Sequence, residues 1–431
     1  MKYRSYTLSN YQTLPQIQKL SEEDRFDIEV VGHVLPFKTS SYVVDELIDW
    51  DNWKNDPFFI LTFPQKGMLS EEHYNKVAAL LKEGAPKSEL KKAIDEIRYD
   101  LNPNPAGQAH NVPELNGVKL DGMQHKYRET MLFFPSQGQT CHAYCSFCFR
   151  WSQFALTNEK FAMKEAGLMV DYLRAHPEIS DVLFTGGDPS IMKTKFFSHY
   201  INTLLDAKLP NLKTIRIGTK ALTFWPYRFT TDDDAQELLD LFKKVTDSGI
   251  NLSIMSHFNH YGALGTKAVQ DAIAAIRSTG AQIRSQSPLM KNINDNPEVW
   301  ATMWRKQVDL GVIPYYMFVA RDTGAQDYFA VTLENAWNIF KDAYQSVSGV
   351  CRTVRGPSMS CDPGKIQIVG VTEIHGEKVF VLSFIQGRNP EWVGIPFFAK
   401  YDPKAIWIND LKPALGEKEF FYEKELREMY D

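Results

Sequence analysis

No stretch of this 431-residue sequence approaches the roughly 18 to 20 consecutive apolar residues that cross a bilayer, so a membrane-spanning helix is not expected. The opening MKYRSYTLSNYQTLPQ lacks the apolar core of a secretory signal, and a cytoplasmic location is expected. Lys and Arg number 48 against 53 Asp and Glu, a net of −5 with no basic run. That balance lacks the electrostatic footprint of a protein that binds nucleic acid or an anionic membrane. Internal repeats and low-complexity tracts are also missing. Cysteine is scarce, with five in the whole chain, too few for a disulfide framework. Three of the five crowd into GQTCHAYCSFCFRW, residues 138–151, spaced C-x3-C-x2-C.

The chain exceeds the roughly 250 to 300 residues at which single cores stop growing, so one large catalytic domain with additions at its ends is expected. The Pro/Gly/Asn-rich stretch DLNPNPAGQAHNVPELNGVKLDG marks the likeliest boundary. Before it, SEEHYNKVAALLKEG and KSELKKAIDEIRYDL read as capped amphipathic helices, which makes residues 1–115 a helical N-terminal region. After it, short apolar runs at 130–135, 181–187, 214–219, 251–258, 282–289 and 313–321 alternate with helical patterns. Strands separated by crossover helices imply an α/β fold with a parallel sheet, open or curled into a partial barrel, over 116–370. A C-terminal extension, 371–431, follows; it could cover the barrel mouth or build a subunit interface. Chemistry in such sheets sits in the loops leaving the carboxyl ends of the strands. The cysteine triplet follows the first strand and lies in such a loop.

Three thiolates at this spacing can turn inward on one ion or cluster. A structural zinc site wants a fourth protein ligand, and His142 is too tightly placed to supply it. Ordinary four-iron clusters take four cysteines, so a cluster held by three leaves one iron open to bind another molecule. Structural thiols or a partial zinc site stay open as alternatives. Gly186, Gly187 and Asp188 close the second strand, where two glycines permit close backbone approach and a carboxylate suits an ammonium.

Cys141, Cys145, Phe147 and Cys148 together resemble the radical S-adenosylmethionine (radical SAM) superfamily motif, and FTGGDPS resembles its GGE-like turn. The resemblance implies a 4Fe-4S cluster on the three cysteines, S-adenosylmethionine chelated to its open iron, and a 5'-deoxyadenosyl radical. RIGTK, SHFNH, SQSPLMKNIND and PYYMFVAR, in that order at successive strand ends, narrow the resemblance to the lysine 2,3-aminomutase family over residues 110–370. It implies a partial (β/α)6 TIM-like barrel, with His257 and Gln286 in the S-adenosylmethionine pocket and Arg150 on the α-carboxylate of the substrate. It further implies pyridoxal phosphate, carried by Lys365 in SMSCDPGKIQIVG, with Lys126, Tyr127 and Arg128 of HKYRET near its phosphate. Thr130 stands where a second arginine is expected, and the turn before Lys365 has lost most of the family's glycines.

The two aspartates that hold the distant ammonium in lysine-specific members correspond to Arg321 and Ser358. A cation there repels an ammonium by on the order of 1 to 4 kcal/mol. The expected activity is therefore a 2,3-aminomutase, an isomerase, acting on a glutamate- or aspartate-like amino acid. A one-residue slip would instead place Asp322 at that position, and Arg321 could pair with Asp322 or Asp327. Three alternatives stay open: a radical SAM enzyme without pyridoxal phosphate, a protein-lysine aminomutase, and a non-catalytic iron-sulfur protein. The resemblance also implies a flavodoxin or ferredoxin as electron donor, and a homo-oligomer is expected. Cys351 and Cys361 are read as buried thiols.

Overall fold

The computed structural model describes residues 1–102, 109–155 and 162–430, so part of the boundary stretch lies outside the described residues. An 11-stranded sheet organises the chain. Its strands are β1 Met123–Tyr127, β2 Thr130–Phe133, β3 Asp181–Phe184, β4 Thr214–Thr219, β5 Asn251–His257 and β6 Gln282–Leu289. They continue as β7 Ile313–Val319, β8 Arg355–Ser360, β9 Gly364–Ile374, β10 Glu377–Gly387 and β11 Pro396–Lys400. Each strand lies beside its neighbours in chain order. From β2 to β8 every pairing is parallel, whereas β1 and β9 to β11 run antiparallel. The carboxyl ends of seven strands therefore share one edge, and β9 starts at that edge because it reverses direction after β8.

Alternation within the parallel strands separates two faces. Val182 and Phe184, Ile215 and Ile217, and Ile283 and Leu289 are buried, while the intervening Asp181, Leu183, Arg216, Arg284 and Gln286 are half-buried. One face is thus sealed by apolar packing, and the other is polar and holds the charged side chains discussed below. Amphipathic crossover helices supply the sealing layer: Ala166–Ala175, Thr194–Asp206, Ala235–Asp247, Lys267–Ser278, Pro297–Asp309 and Leu333–Gln345.

The helical signals before residue 100 are realised at Glu71–Lys82 and Lys87–Asp100. A further helix, Glu22–Val34, starts at a capping box in which the Ser21 hydroxyl accepts from the Asp24 amide and the Asp24 carboxylate accepts from the Ser21 amide. One apolar cluster runs from Tyr11 to Val354 and joins these helices to the sheet. A second, from Val319 to Tyr422, fills the space around the antiparallel strands and the tail. Strand β9 passes through position 370, between the central region and the extension. Among the described residues no helix is long and apolar enough to cross a membrane.

Candidate active site

The three cysteines lie in the loop between β2 and the short helix Trp151–Ala155, all half-buried and none in a disulfide. Burial pushes each thiol up, Cys145 to about 12 and Cys148 to about 11, and the charges of Cys145 and Cys148 push Cys141 further. Lys220 opposes this at Cys145, as Arg150 does at Cys148 and Lys38 at Cys141. Among the described residues no three thiol, imidazole or carboxylate groups converge as a single-ion site. Three thiolates also fall one short of the four protein ligands that a structural zinc takes. The donor set fits a cubane, where each thiolate takes a separate iron.

The turn after β3 is packed onto this loop with no space between the two backbones. A Cβ on Gly187 would stand 2.5 Å from the backbone nitrogen and oxygen of Thr140. Gly186, at φ 128°, has the Gln139 side chain 2.4 Å from where its Cβ would be. The Asp188 amide donates to the carbonyls of Gly138 and Thr140 at 3.1 and 2.8 Å. Gly187→Ala is expected to displace the loop at a cost of about 1–3 kcal/mol, lowering both the thermal midpoint and the iron bound per chain. Gly167→Ala, with nothing within 4 Å of the added methyl, should leave both unchanged.

The Asp188 carboxylate is buried and accepts from the Thr219 hydroxyl at 2.7 and 2.9 Å, from the Lys220 amide at 2.8 Å and from the Ser190 amide at 2.9 Å. Those donors make it a strut between the ends of β3 and β4. Beyond β4, the ammonium of the half-buried Lys220 lies 5.5 Å from the centre of the Phe147 ring, and it donates to the Asn259 side chain. His257 and Gln286 face each other across β5 and β6 and share a hydrogen bond of 2.7 Å between side-chain nitrogens. Burial and the charge of Lys220 bring His257 down to about 3, so its imidazole is neutral.

Arg150 is buried, its guanidinium 4.7 Å from the Phe134 ring centre and 5.0 Å from that of Phe149, and its Nη1 has no hydrogen-bond partner. Arg321 lies 5.4 Å from the same Phe149 ring. Its Nε is also without a hydrogen bond, since the nearest oxygen of Asp322 is 3.6 Å away. Two guanidiniums with unfilled donors therefore flank one aromatic ring. Ser358 does not join them: it has no accessible surface, and its hydroxyl donates to the Met317 carbonyl inside the sheet. The strand pleat carries it into the packed interior.

Lys365 opens β9 at the shared edge. Its ammonium donates to Gln386 Oε1 at 2.6 Å and lies 4.9 and 5.2 Å from the ring centres of Tyr316 and Tyr127. Burial, helped by Arg216, Lys126 and Arg355, brings it down to about 7. Lys126 donates to the Cys361 carbonyl at 2.6 Å, and its own burial brings it to about 8. Arg128 is elsewhere: β1 ends at Tyr127, so Arg128 falls in the exposed turn and offers only its carbonyl, to His125. A cation nevertheless stands beside Thr130, and it comes from β4, two strands away. Arg216 stands 3.5 Å from the Thr130 hydroxyl and is paired with Asp181. Cys351 and Cys361 are buried, as expected, and Cys361 enters the site through its carbonyl.

The sequence reading missed Lys38, Arg216, Lys220 and Arg355. Lys220 had a signal, a cation directly after the strand in RIGTK. Lys38, 103 positions before the carbonyl it holds, had none.

No protein-family profile matches the chain. An Aquifex aeolicus protein described as "Putative L-lysine 2,3-aminomutase" is 31% identical over 401 residues, 93% of this chain and 94% of that protein. The chain belongs to the lysine 2,3-aminomutase family of radical SAM enzymes. The L-lysine 2,3-aminomutase of Escherichia coli is 26% identical over 269 residues, 62% of this chain and 74% of that protein. A solved radical SAM methyltransferase from Sphaerobacter thermophilus superposes with a TM-score of 0.40 at 14% identity, covering 67% of this chain and 93% of that one, a likeness too loose to carry any inference. Membership in the lysine 2,3-aminomutase family implies the 4Fe-4S cluster and S-adenosylmethionine, and the cysteine loop has the donors for the first.

Proposed function

We propose that this radical SAM enzyme is a pyridoxal-phosphate-dependent 2,3-aminomutase acting on a free amino acid with an acidic side chain, glutamate or aspartate in kind. The observation that carries the proposal is Lys365: a half-buried amine brought near neutrality, with Lys126, Arg216 and Arg355 around it, between two tyrosine rings, at the edge that also bears the cysteine loop. A neutral amine is the nucleophile an aldehyde cofactor requires, and the surrounding cations suit a phosphate. When bound, the cluster with S-adenosylmethionine supplies a hydrogen-abstracting radical, and pyridoxal phosphate stabilises the migrating amino group.

The chain's own residues do the rest. Cys141, Cys145 and Cys148 hold the cluster, His257 and Gln286 line the S-adenosylmethionine pocket, and Phe147 lies against Lys220, its ring centre 5.5 Å from the ammonium. Arg150 Nη1 takes the α-carboxylate, and Arg321, on the same ring, takes the distal carboxylate. Asp322 offers the opposite sign, but the convergence of both guanidiniums on Phe149 favours a substrate with two anionic groups.

The same proposal holds the sheet to be a partial barrel between the helical N-terminal region, 1–115, and the extension, 371–431. In a flat sheet, the seven steps from β1 to β8 at about 4.8 Å each would separate Lys126 from Cys361 by roughly 34 Å. Their 2.6 Å contact supports a sheet curled back on itself.

The test is turnover by the reconstituted, oxygen-free protein, with 5'-deoxyadenosine and β-amino acid measured by mass spectrometry. Glutamate or aspartate should turn over while lysine does not; turnover of lysine alone would overturn the assignment of Arg321. Arg150→Leu should raise KM roughly tenfold to a hundredfold, the scale of a lost hydrogen bond to a charged group.

A further inference from the structure

The cysteine loop is held from outside the sheet, by residues that none of the site motifs include. The Tyr3 hydroxyl donates to the His142 carbonyl at 2.8 Å. The amides of Tyr144 and Ser146 donate to the carbonyls of Lys38 and Leu61 at 2.7 and 2.9 Å, and the Ser146 hydroxyl donates to the Ile60 carbonyl at 2.7 Å. In the middle of this clamp the Lys38 ammonium donates to the Cys141 carbonyl at 2.6 Å, approaches the Thr140 hydroxyl at 3.5 Å and lies 5.7 Å from the Tyr144 ring centre. It is the one charged group the clamp brings to the loop, and its field acts on the Cys141 thiol.

We infer that Lys38 is a positioning residue of the N-terminal region whose fixed positive charge, held against the backbone of Cys141, raises the reduction potential of the cluster. This rests on the reading of the three cysteines as cluster ligands. One-electron reduction by an external reductant adds a negative charge to the cluster, and a partly buried ammonium beside one ligand favours that state over the oxidised one. The hydrogen bond goes to a carbonyl and leaves the sulfur free for iron. Lys38 therefore biases the cluster without ligating it.

The test uses the full chain, reconstituted with iron and sulfide without oxygen and titrated potentiometrically with dithionite under EPR readout. Lys38→Met and Lys38→Gln should bind as much iron as the unaltered chain and titrate at lower potential, while Lys38→Arg keeps the original potential. Unchanged potentials in the Met and Gln variants would overturn the inference. So would loss of iron from both with Lys38→Arg still loaded, because the residue would then be a purely mechanical support. If the unaltered chain takes up no iron, it is the reading of the cysteine loop that fails, and the iron count separates that result from the others.

Discussion

Cys145→Ala is expected to abolish iron binding and to reduce 5'-deoxyadenosine release to background. Each of the three thiols has its own iron to hold in a cluster of this kind, and the loop carries no further cysteine to replace one. Cys145 is the middle ligand, in the segment where the loop is anchored by the Ser146 hydrogen bonds to Ile60 and Leu61, so the remaining two thiols cannot shift to compensate. Cys351→Ala removes a more deeply buried thiol from far outside the loop and should leave iron content and EPR signal intact. Iron and sulfide analysis of the two variants side by side makes the comparison. A Cys145→Ala chain that kept its cluster would remove the basis for assigning this loop.

Lys365→Ala should leave the cluster untouched and eliminate the borohydride-trapped pyridoxyl adduct, with turnover reduced about a thousandfold or more, as when an essential nucleophile is removed. The pH dependence adds a sharper signature. An ordinary lysine loses its proton near pH 10.4, whereas burial and neighbouring cations bring Lys365 to about 7. The reactive form is the neutral amine. The rate of adduct formation should therefore rise as pH increases through about 7 and level off above it, while an unperturbed lysine would keep gaining toward pH 10. Peptide mapping of the adduct after borohydride reduction at several pH values provides both readouts. An adduct on a different lysine, or a rate still climbing at pH 9, would count against the assignment.

The parallel half of the sheet was legible because its strands are bounded by turn residues and followed by amphipathic helices; five of the six expected strands lie within two residues of their observed limits, and the sixth, 181–187, runs three residues past Phe184 into the glycine turn. The antiparallel half was not. Gly356, Pro357, Pro363 and Gly364 give residues 355–365 the look of an extended turn, although the two strands β8 and β9 pass through them. Site residues at strand ends, such as His257 and Gln286, could be placed by position alone. Partnerships could not: nothing local in the sequence reveals that the carboxylate of Asp188 accepts from Thr219 and Lys220, or that Arg216 stands beside Thr130. Those depend on register between strands, which one sequence does not display.

The bond between Lys126 and the Cys361 carbonyl joins groups 235 positions apart. During synthesis, then, Lys126 of β1 emerges long before the segment that holds its ammonium. Contacts of such sequence separation form slowly, because the intervening chain must be ordered before the loop is closed. The cysteine loop is clamped by Tyr3, Lys38, Ile60 and Leu61, all of which precede it in the chain. A nascent chain therefore holds these anchors of its cysteines before the segment around Lys365 has been made.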